Sequence, residues 1–574
     1  MAPSSRRSAA VAAVLLALLG AALVVDHQRL DTATMDEPFH ALAGCEYALS
    51  GTYWANLEHP PLAKLLAGLS AGLAGARPPR LPEPFSFSTA ETPMRFLYEN
   101  DLAPGPLLAA ARRPFPLLHV LVVLLGAAAA GRAAGPLAAA GAALLLAFEP
   151  TLVAHAGFLH TDAGAALGFL ATVVAALSAL RRPSLLRWAA TGVLLGLSLA
   201  TKFTAVFLGP ILLALVLVAL LVERRRTGRF PIAPLGGLAA AFAVAGAVLL
   251  GVYAVSMRNM PRAEAERSVR LFLGGRRAAP ETVERVAALT RLIPPAGHYV
   301  AGLAGIAEQN RRGGGVNVFR GEVSVDGFPA YFPVAFLVKS SLGFLGALAL
   351  AAALVAARRV RAGFGALSFL LPPAYVFLSS VASSYNIGVR HVLPAVPFLA
   401  VGAAVAIVRG LPARAAAGAL LALGLLQAVE TVAVHPHEVS FFNAAAGGPA
   451  KGHLWLNDSN LDWGQDLERL ALELGRRGET AVTVAYFGGA FPPYHIPSAR
   501  LFDAARTPLT PGLYAVSAYL LAAGPEVMAF RGDRARAAGY ARLRRALVSR
   551  GTPEGRVGYS ILLYRLPEER TPPP

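Results

Sequence analysis

Asp36-Glu37-Pro38-Phe39-His40 and, about twenty residues on, Glu58-His59-Pro60-Pro61-Leu62-Ala63-Lys64 are the stretches that decide the reading of this chain. Together they place three carboxylates, two imidazoles and an ammonium just after the first apolar run, Ala9 to Val25. Charges at a membrane surface are costly to desolvate, so their default reading there is functional. The rest of the chain reads as a scaffold holding this loop against a lipid-facing cavity.

Of the 574 residues, 55% are hydrophobic and only 15% charged. A soluble domain carries about 25% charged residues. Apolar runs of about 20 residues recur, which is the pattern of a polytopic α-helical membrane protein. The net charge of +18 does not point to nucleic acid. Much of the excess is arginine in short clusters between apolar runs, the bias of cytoplasmic loops. A single cysteine, Cys45, excludes an intramolecular disulfide. Arg6 and Arg7 before the first apolar run would suit a signal peptide. A retained anchor is the expectation, because the charged loop follows at once and no small-residue cleavage site precedes it.

The arginine clusters thread eleven spans, at roughly 8–25, 116–131, 134–148, 162–180, 188–200, 204–222, 232–256, 334–356, 363–381, 392–408 and 415–434. The N-terminus is then cytoplasmic, and long external loops run over about 26–115 and about 257–333. Residues 1–434 form the membrane domain, and 435–574 a small extracytoplasmic α/β domain. That threading places Asp36, Glu37, His59, Lys64, Glu149, His155, His160, Asp162, Lys202, Arg390 and His391 on the external side. Any one of them reads equally well as a satisfied polar group at a helix end. Their convergence favours a site.

Pro38 suits the first turn of a helix, and Ser50-Gly51 a stop. Phe39, Leu42, Ala43, Tyr47 and Leu49 would give that helix one apolar face in the membrane interface, with Asp36 and Glu37 at its dipole-favoured end. Tyr53 and Trp54 suit the headgroup region. His59-Pro60-Pro61 opens a second helix carrying Lys64. The proline-rich tract from Arg77-Pro78-Pro79-Arg80 to Pro93 reads as irregular. Asp162 is a helix cap or a catalytic acid with equal claim. Lys339 either snorkels outward or faces a cavity, the cavity being favoured, and Arg390, before the tenth span, is a phosphate ligand candidate. Arg311-Arg312-Gly313-Gly314-Gly315 and the following Gly321-Glu322 form a weak anion-loop signal. His40, Glu149, His155, Asp162 and Glu322 complete the supporting candidates. Beyond residue 435 a helix ends near Arg477, and strands are predicted at Ala481–Phe487, Leu513–Ser517 and Ile561–Leu566. Zinc-ligand spacing, a Walker A loop, a nucleophile elbow and a dinucleotide fingerprint are all missing from the sequence.

The Asp36-Glu37 pair with His59-Pro60-Pro61-Leu62-Ala63-Lys64 resembles the first external loop of the protein O-mannosyltransferases and their bacterial relatives, phospholipid-carrier-dependent enzymes of the GT-C superfamily. Glu149-Pro150 with Thr161-Asp162, Tyr331-Phe332-Pro333-Val334-Ala335-Phe336-Leu337-Val338-Lys339, Arg390-His391-Val392-Leu393-Pro394 and Asp458-Ser459-Asn460-Leu461-Asp462-Trp463-Gly464-Gln465 are similar to the bacterial group. The resemblance implies a GT-C fold, a polyprenyl-phosphate sugar donor and inversion. It also implies a catalytic base in the acidic pair, carried over to Asp36 with Glu37 beside it. The β-trefoil insertion of the eukaryotic enzymes has no counterpart in this sequence.

The expected chemistry is sugar transfer to an acceptor hydroxyl outside a bacterial inner membrane. Asp36 takes the proton, and His59, Lys64, Lys202, Lys339 and Arg390 receive the phosphate. The acceptor is a protein or an envelope lipid or glycan, and membrane lipids are the remaining partners. Asp36, Glu37, His40 and His59 are residue types that hold divalent ions. No metal or cofactor is expected to be required, because the site already supplies cations. A lipid-linked sugar flippase is the alternative, though it would spread polar groups through the depth of the bundle. A non-catalytic envelope assembly protein is the other.

Overall fold

A computed structural model describes residues 3–79, 81, 91–228, 232–313, 315–360 and 363–568. Most of the proline-rich tract from Arg80 onward, Gly314 and Arg361 lie outside the described residues.

The chain is an α-helical polytopic protein followed by a small α/β domain, as its composition and patterning imply. Among the described residues eight helices are long and apolar enough to cross a membrane, or nine if a bent pair counts as one span. Each of the eleven expected spans is a helix, and the difference from eleven lies in length. The third and fifth are Pro136–Ala147 and Leu185–Leu199, of 12 and 15 residues. At ~1.5 Å per residue these fall short of the ~30 Å hydrocarbon core. The eighth is broken at Ser340–Ser341, where Tyr331–Lys339 meets Leu342–Ala356 at 113°.

The two long loops are helical too. The first contains Glu37–Cys45, Leu62–Leu73, Glu91–Tyr98 and Pro104–Arg112. Pro38 occupies the first turn of Glu37–Cys45, which runs into a π-turn, Glu46–Ser50, and stops at Gly51 with φ +71°. This helix does not lie in the interface with one face in lipid. Nearly all its side chains are buried, and Tyr53 and Trp54 are buried beside it. The reason is close packing against Leu62–Leu73: a Cβ on Gly44 would sit 2.2 Å from the Lys64 carbonyl oxygen. The second loop contains Arg262–Gly275, Pro280–Leu292 and Pro294–Arg311, then a hairpin of β1 (Asn317–Phe319) and β2 (Glu322–Ser324). Arg311 and Arg312 both pair with Glu308, so neither is held in reserve for an anion.

In the C-terminal region β3 (Val482–Ala485), β4 (Ala499–Leu501), β5 (Gly512–Ser517), β6 (Thr552–Val557) and β7 (Ile561–Leu566) form one sheet in the order β4-β3-β5-β7-β6. The β4-β3-β5 part is parallel and β5-β7-β6 antiparallel. The three strands read from the sequence are β3, β5 and β7. The helix Leu467–Arg477 packs Leu467, Leu470 and Leu474 into the same core as Val482, Leu513 and Ile561.

Candidate active site

Asp36 sits between the first membrane helix and Glu37–Cys45, at the N-cap position, yet its side chain makes no cap bond. It turns away from the helix. Its Oδ2 lies 3.0 Å from His160 Nε2 and 3.4 Å from both Arg390 Nη1 and Nη2. Its side chain is 38% exposed, far more than its partners His160 at 2% and Arg390 at 7%. Among the described residues Oδ1 accepts no hydrogen bond, and it is the open face of the cluster.

The cluster continues inward. His160, in the turn before the membrane helix Asp162–Arg181, places Nδ1 2.9 Å from Asp162 Oδ2. Asp162 Oδ1 pairs with Lys202, which follows the short helix Leu185–Leu199. Arg390 comes from the 3₁₀ turn Val389–Ala395 and stacks its guanidinium 4.4 Å from the Trp463 ring centroid. Two carboxylates thus face two fixed cations across one histidine.

Burial by itself drives the Asp36 carboxyl up. The hydrogen bond with His160 and the charge of Arg390 outweigh it and hold the group below the usual carboxylate range. His40 and His59 adjoin His160, with ring centroids 4.9 and 6.5 Å from it. Burial, then neighbouring positive groups, push His40 down to about 3 and His59 well below its ordinary value, so both are neutral. Asp458 belongs to the same neighbourhood and holds a left-handed φ of +56°. Burial raises its carboxyl to about 6 against the pull of Arg390.

A rigid support presents Asp36. Arg112 donates from Nε to Glu37 Oε1 at 2.8 Å and from Nη2 to Oε2 at 2.6 Å. It also donates to the carbonyls of Asp31 and Thr32 at 2.8 and 3.1 Å. Glu37 accepts further bonds from Thr34 N, Thr34 Oγ1 and Leu159 N. Wholly buried with five donors, it keeps no lone pair for a substrate. On the other side the Trp463 segment pairs with this loop through Met35 N to Trp463 O at 3.0 Å and Thr32 N to Gln465 O at 2.9 Å. Gly464 between them has φ +91° and packs on its other side against the segment after β3, where a Cβ would sit 2.3 Å from Gly488 Cα.

The structure brings Asp36, His40, His59, Asp162, Lys202 and Arg390 together, with His155 edge-on to Trp463 at 5.6 Å. Four other candidates stand outside this cluster. Lys64 is fully buried, and its Nζ donates to the His59 carbonyl at 2.7 Å and the Asn56 carbonyl at 3.0 Å. Lys339 donates to the carbonyls of Val439 and Asn460 at 2.7 and 2.6 Å. Both ammonium groups are spent within the protein, Lys64 also on Asn56 Oδ1 and the Tyr47 hydroxyl. Glu149 caps Pro150–His155 through a 2.6 Å bond from Leu152 N. Glu322 is exposed on β2 and shares no hydrogen bond or ion pair with the cluster among the described residues. Sequence reasoning missed Arg112, whose partner Glu37 lies 75 positions away.

Several buried polar atoms without partners lie here: Arg390 Nε, His59 Nδ1, His155 Nδ1, His391 Nε2 and Thr161 Oγ1. Such atoms are rare in folded proteins and call for an explanation such as a ligand. Among the described residues no three His, Cys, Asp or Glu side chains converge as metal ligands.

Residues 105–250 match the family model described as dolichyl-phosphate-mannose-protein mannosyltransferase. That match covers about a quarter of the chain and includes its second to sixth expected spans. Over those residues the chain resembles the protein mannosyltransferases, in keeping with its motifs. No curated protein sequence matches the chain. Among solved structures it is similar to ArnT from Cupriavidus metallidurans bound to undecaprenyl phosphate, at 15% identity and TM-score 0.47 over 98% of this chain and 99% of that one. It is similar to the Archaeoglobus fulgidus oligosaccharyltransferase at 12% identity and TM-score 0.49, over 98% and 75% of the two chains. The S. cerevisiae protein O-mannosyltransferase Pmt1-Pmt2 complex bound to the sugar donor is similar at 18% identity and TM-score 0.34, over 45% and 34%.

Proposed function

We propose that this glycosyltransferase moves a sugar from a polyprenyl-phosphate donor to an acceptor hydroxyl at the extracytoplasmic face of a bacterial inner membrane, with Asp36 as base. The observation that carries the reading is the state of Asp36: ionised, partly exposed, one oxygen fixed by His160 and Arg390 and the other open.

Asp36 Oδ1 accepts the acceptor's hydroxyl proton while that oxygen attacks the anomeric carbon. The bond from that carbon to the phosphate oxygen breaks, and the phosphate leaves with the electron pair. One displacement inverts the anomeric centre. Arg390, with its unpartnered Nε, and Lys202 are the cations positioned for the phosphate. Arg390 touches Asp36 as well, so phosphate binding draws its charge away from the carboxylate and raises its basicity as the donor seats. The reaction as written uses no metal. Glu37, Lys64, Lys339 and Glu149 act by holding the loops that carry Asp36, His59 and Trp463.

Purified protein incubated with a polyprenyl-phosphate sugar and acceptor tests this. Asp36→Asn should bind donor normally without turnover, whereas Arg390→Lys, which loses the fork geometry, should bind it poorly. Near-normal turnover by Asp36→Asn would place the base elsewhere.

A further inference from the structure

At the end of the bundle opposite Asp36 lies a cavity of about 1230 Å³. Arg6, Arg132, Arg181, Arg182 and Arg187 ring it, and its walls are apolar, with Leu124, Val174, Leu194 and Phe369 among them. We propose that this cavity binds an anionic phospholipid of the leaflet opposite the candidate active site, headgroup phosphate among the arginines and one acyl chain in the groove.

Position comes first. The helix Asp162–Arg181 has Asp162 in the catalytic cluster at one end and Arg181 at the cavity at the other. Nineteen steps of 1.5 Å separate them by ~30 Å, the thickness of a hydrocarbon core. The cavity therefore opens at the other membrane surface.

Charge comes second. None of the described lining residues is acidic, and none of the five arginines makes an ion pair among the described residues. The guanidinium of Arg187 donates only to the Arg182 carbonyl, at 2.8 Å. Five like charges around one mouth repel each other unless an anion joins them. Arginine clusters are ordinary on cytoplasmic loops. These differ in that two helix connections and the N-terminal helix deliver them to one concavity rather than to open solvent. Arg224, Arg225 and Arg226, in the last turn of another membrane helix, do not line it.

Shape comes third. Behind the arginines the walls are small or apolar: Ala13, Ala127, Ala171 and Ala175 leave the groove open between the helices. Phosphate-binding arginines above an apolar slot match one phospholipid molecule, whereas a soluble phosphate would leave the slot unused. Basic pockets between membrane helices are known sites for anionic headgroups.

Native mass spectrometry of the full chain in detergent, titrated with dioleoyl phosphatidylglycerol and with dioleoyl phosphatidylcholine, tests the proposal. The anionic lipid should bind more tightly. Arg132→Gln/Arg181→Gln/Arg182→Gln should weaken it about a hundredfold, at roughly fivefold per arginine, and leave the neutral lipid unchanged. Arg224→Gln/Arg225→Gln/Arg226→Gln removes equal charge from the same membrane face and should change little. Equal losses from both triple variants would show nonspecific attraction and overturn the site. Ala175→Phe alters no charge and fills the groove. It should also lower phosphatidylglycerol affinity, and wild-type affinity in that variant overturns the proposal whether or not the arginine variant folds.

Discussion

Asp36 and Glu37 are neighbours in sequence with opposite surroundings: Glu37 is wholly buried and takes five hydrogen bonds, while Asp36 keeps one carboxylate oxygen open beside Arg390. A saturated carboxylate cannot accept a substrate proton without breaking its own support. An open one beside a guanidinium can.

The two positions should therefore fail differently. Asp36→Asn should lower turnover by about 10²–10⁴, the usual worth of a positioned base, with a melting temperature lowered far less than by Glu37→Gln, because Asp162 still faces Arg390. Glu37→Gln leaves Arg112 buried without its counter-ion, a loss of about 3–5 kcal/mol. Its thermal unfolding should shift well down, and whatever protein stays folded should retain turnover. A stable, inactive Glu37→Gln would move the base to Glu37.

The acid limb of the rate profile follows from Asp36. Its carboxyl is held below the usual range, so it stays ionised down to and beyond pH ~4, where an ordinary carboxylate titrates. Turnover should be flat through neutral pH on this account. His160→Ala removes a hydrogen bond that favours the ionised form, so the carboxyl rises and the acid limb should move to higher pH. Measuring kcat/KM against pH for both proteins checks this, and coincident acid limbs would remove His160 from that role.

A second carboxylate ties the two regions together. Asp31, just after the first membrane helix, pairs with Arg469 of the C-terminal region at 2.6 Å and with His27 at 2.6 Å. Burial raises its carboxyl, but Arg469 and His27 more than offset this and bring it down to about 2. A depressed folded value stabilises the protein above the unfolded value near 4 and is lost as pH falls through about 2. The shift is worth about 2 kcal/mol. Unfolding midpoints measured from pH 5 to pH 2 should fall in the wild type. Asp31→Asn should be less stable at pH 7 and flatter over that window.

Much of this was legible in the sequence because the bilayer imposes strong rules. Apolar runs and arginine clusters located a helix at each expected span, though only eight or nine are long enough to cross, and gathered Asp36, Asp162, Lys202 and Arg390 at one end. Lys64 and Lys339 misled because a buried ammonium can be spent on backbone carbonyls, which leave no trace in residue type. Arg112 was hidden for the converse reason: its partner is distant in sequence, and an arginine at a helix end looks like any other. The interfacial reading of Glu37–Cys45 failed because apolar periodicity does not distinguish a helix against lipid from one packed against Leu62–Leu73.

Asp162 and Lys202 offer the sharpest separation of stability from function. They form a buried pair whose side chains are 0% and 6% exposed. Removing one partner strands the other charge in a medium that cannot solvate it, so Asp162→Asn and Lys202→Met should each destabilise by about 3–5 kcal/mol. Replacing both removes the stranded charge, and Asp162→Asn/Lys202→Met should recover most of the melting temperature. Donor affinity should not recover with it. If Lys202 receives the donor phosphate, the double variant lacks that cation however well it folds. Unfolding curves and donor titrations on all four proteins complete the cycle. Recovery of both properties together would make Lys202 a structural counter-ion and leave Arg390 as the phosphate's one partner of the two.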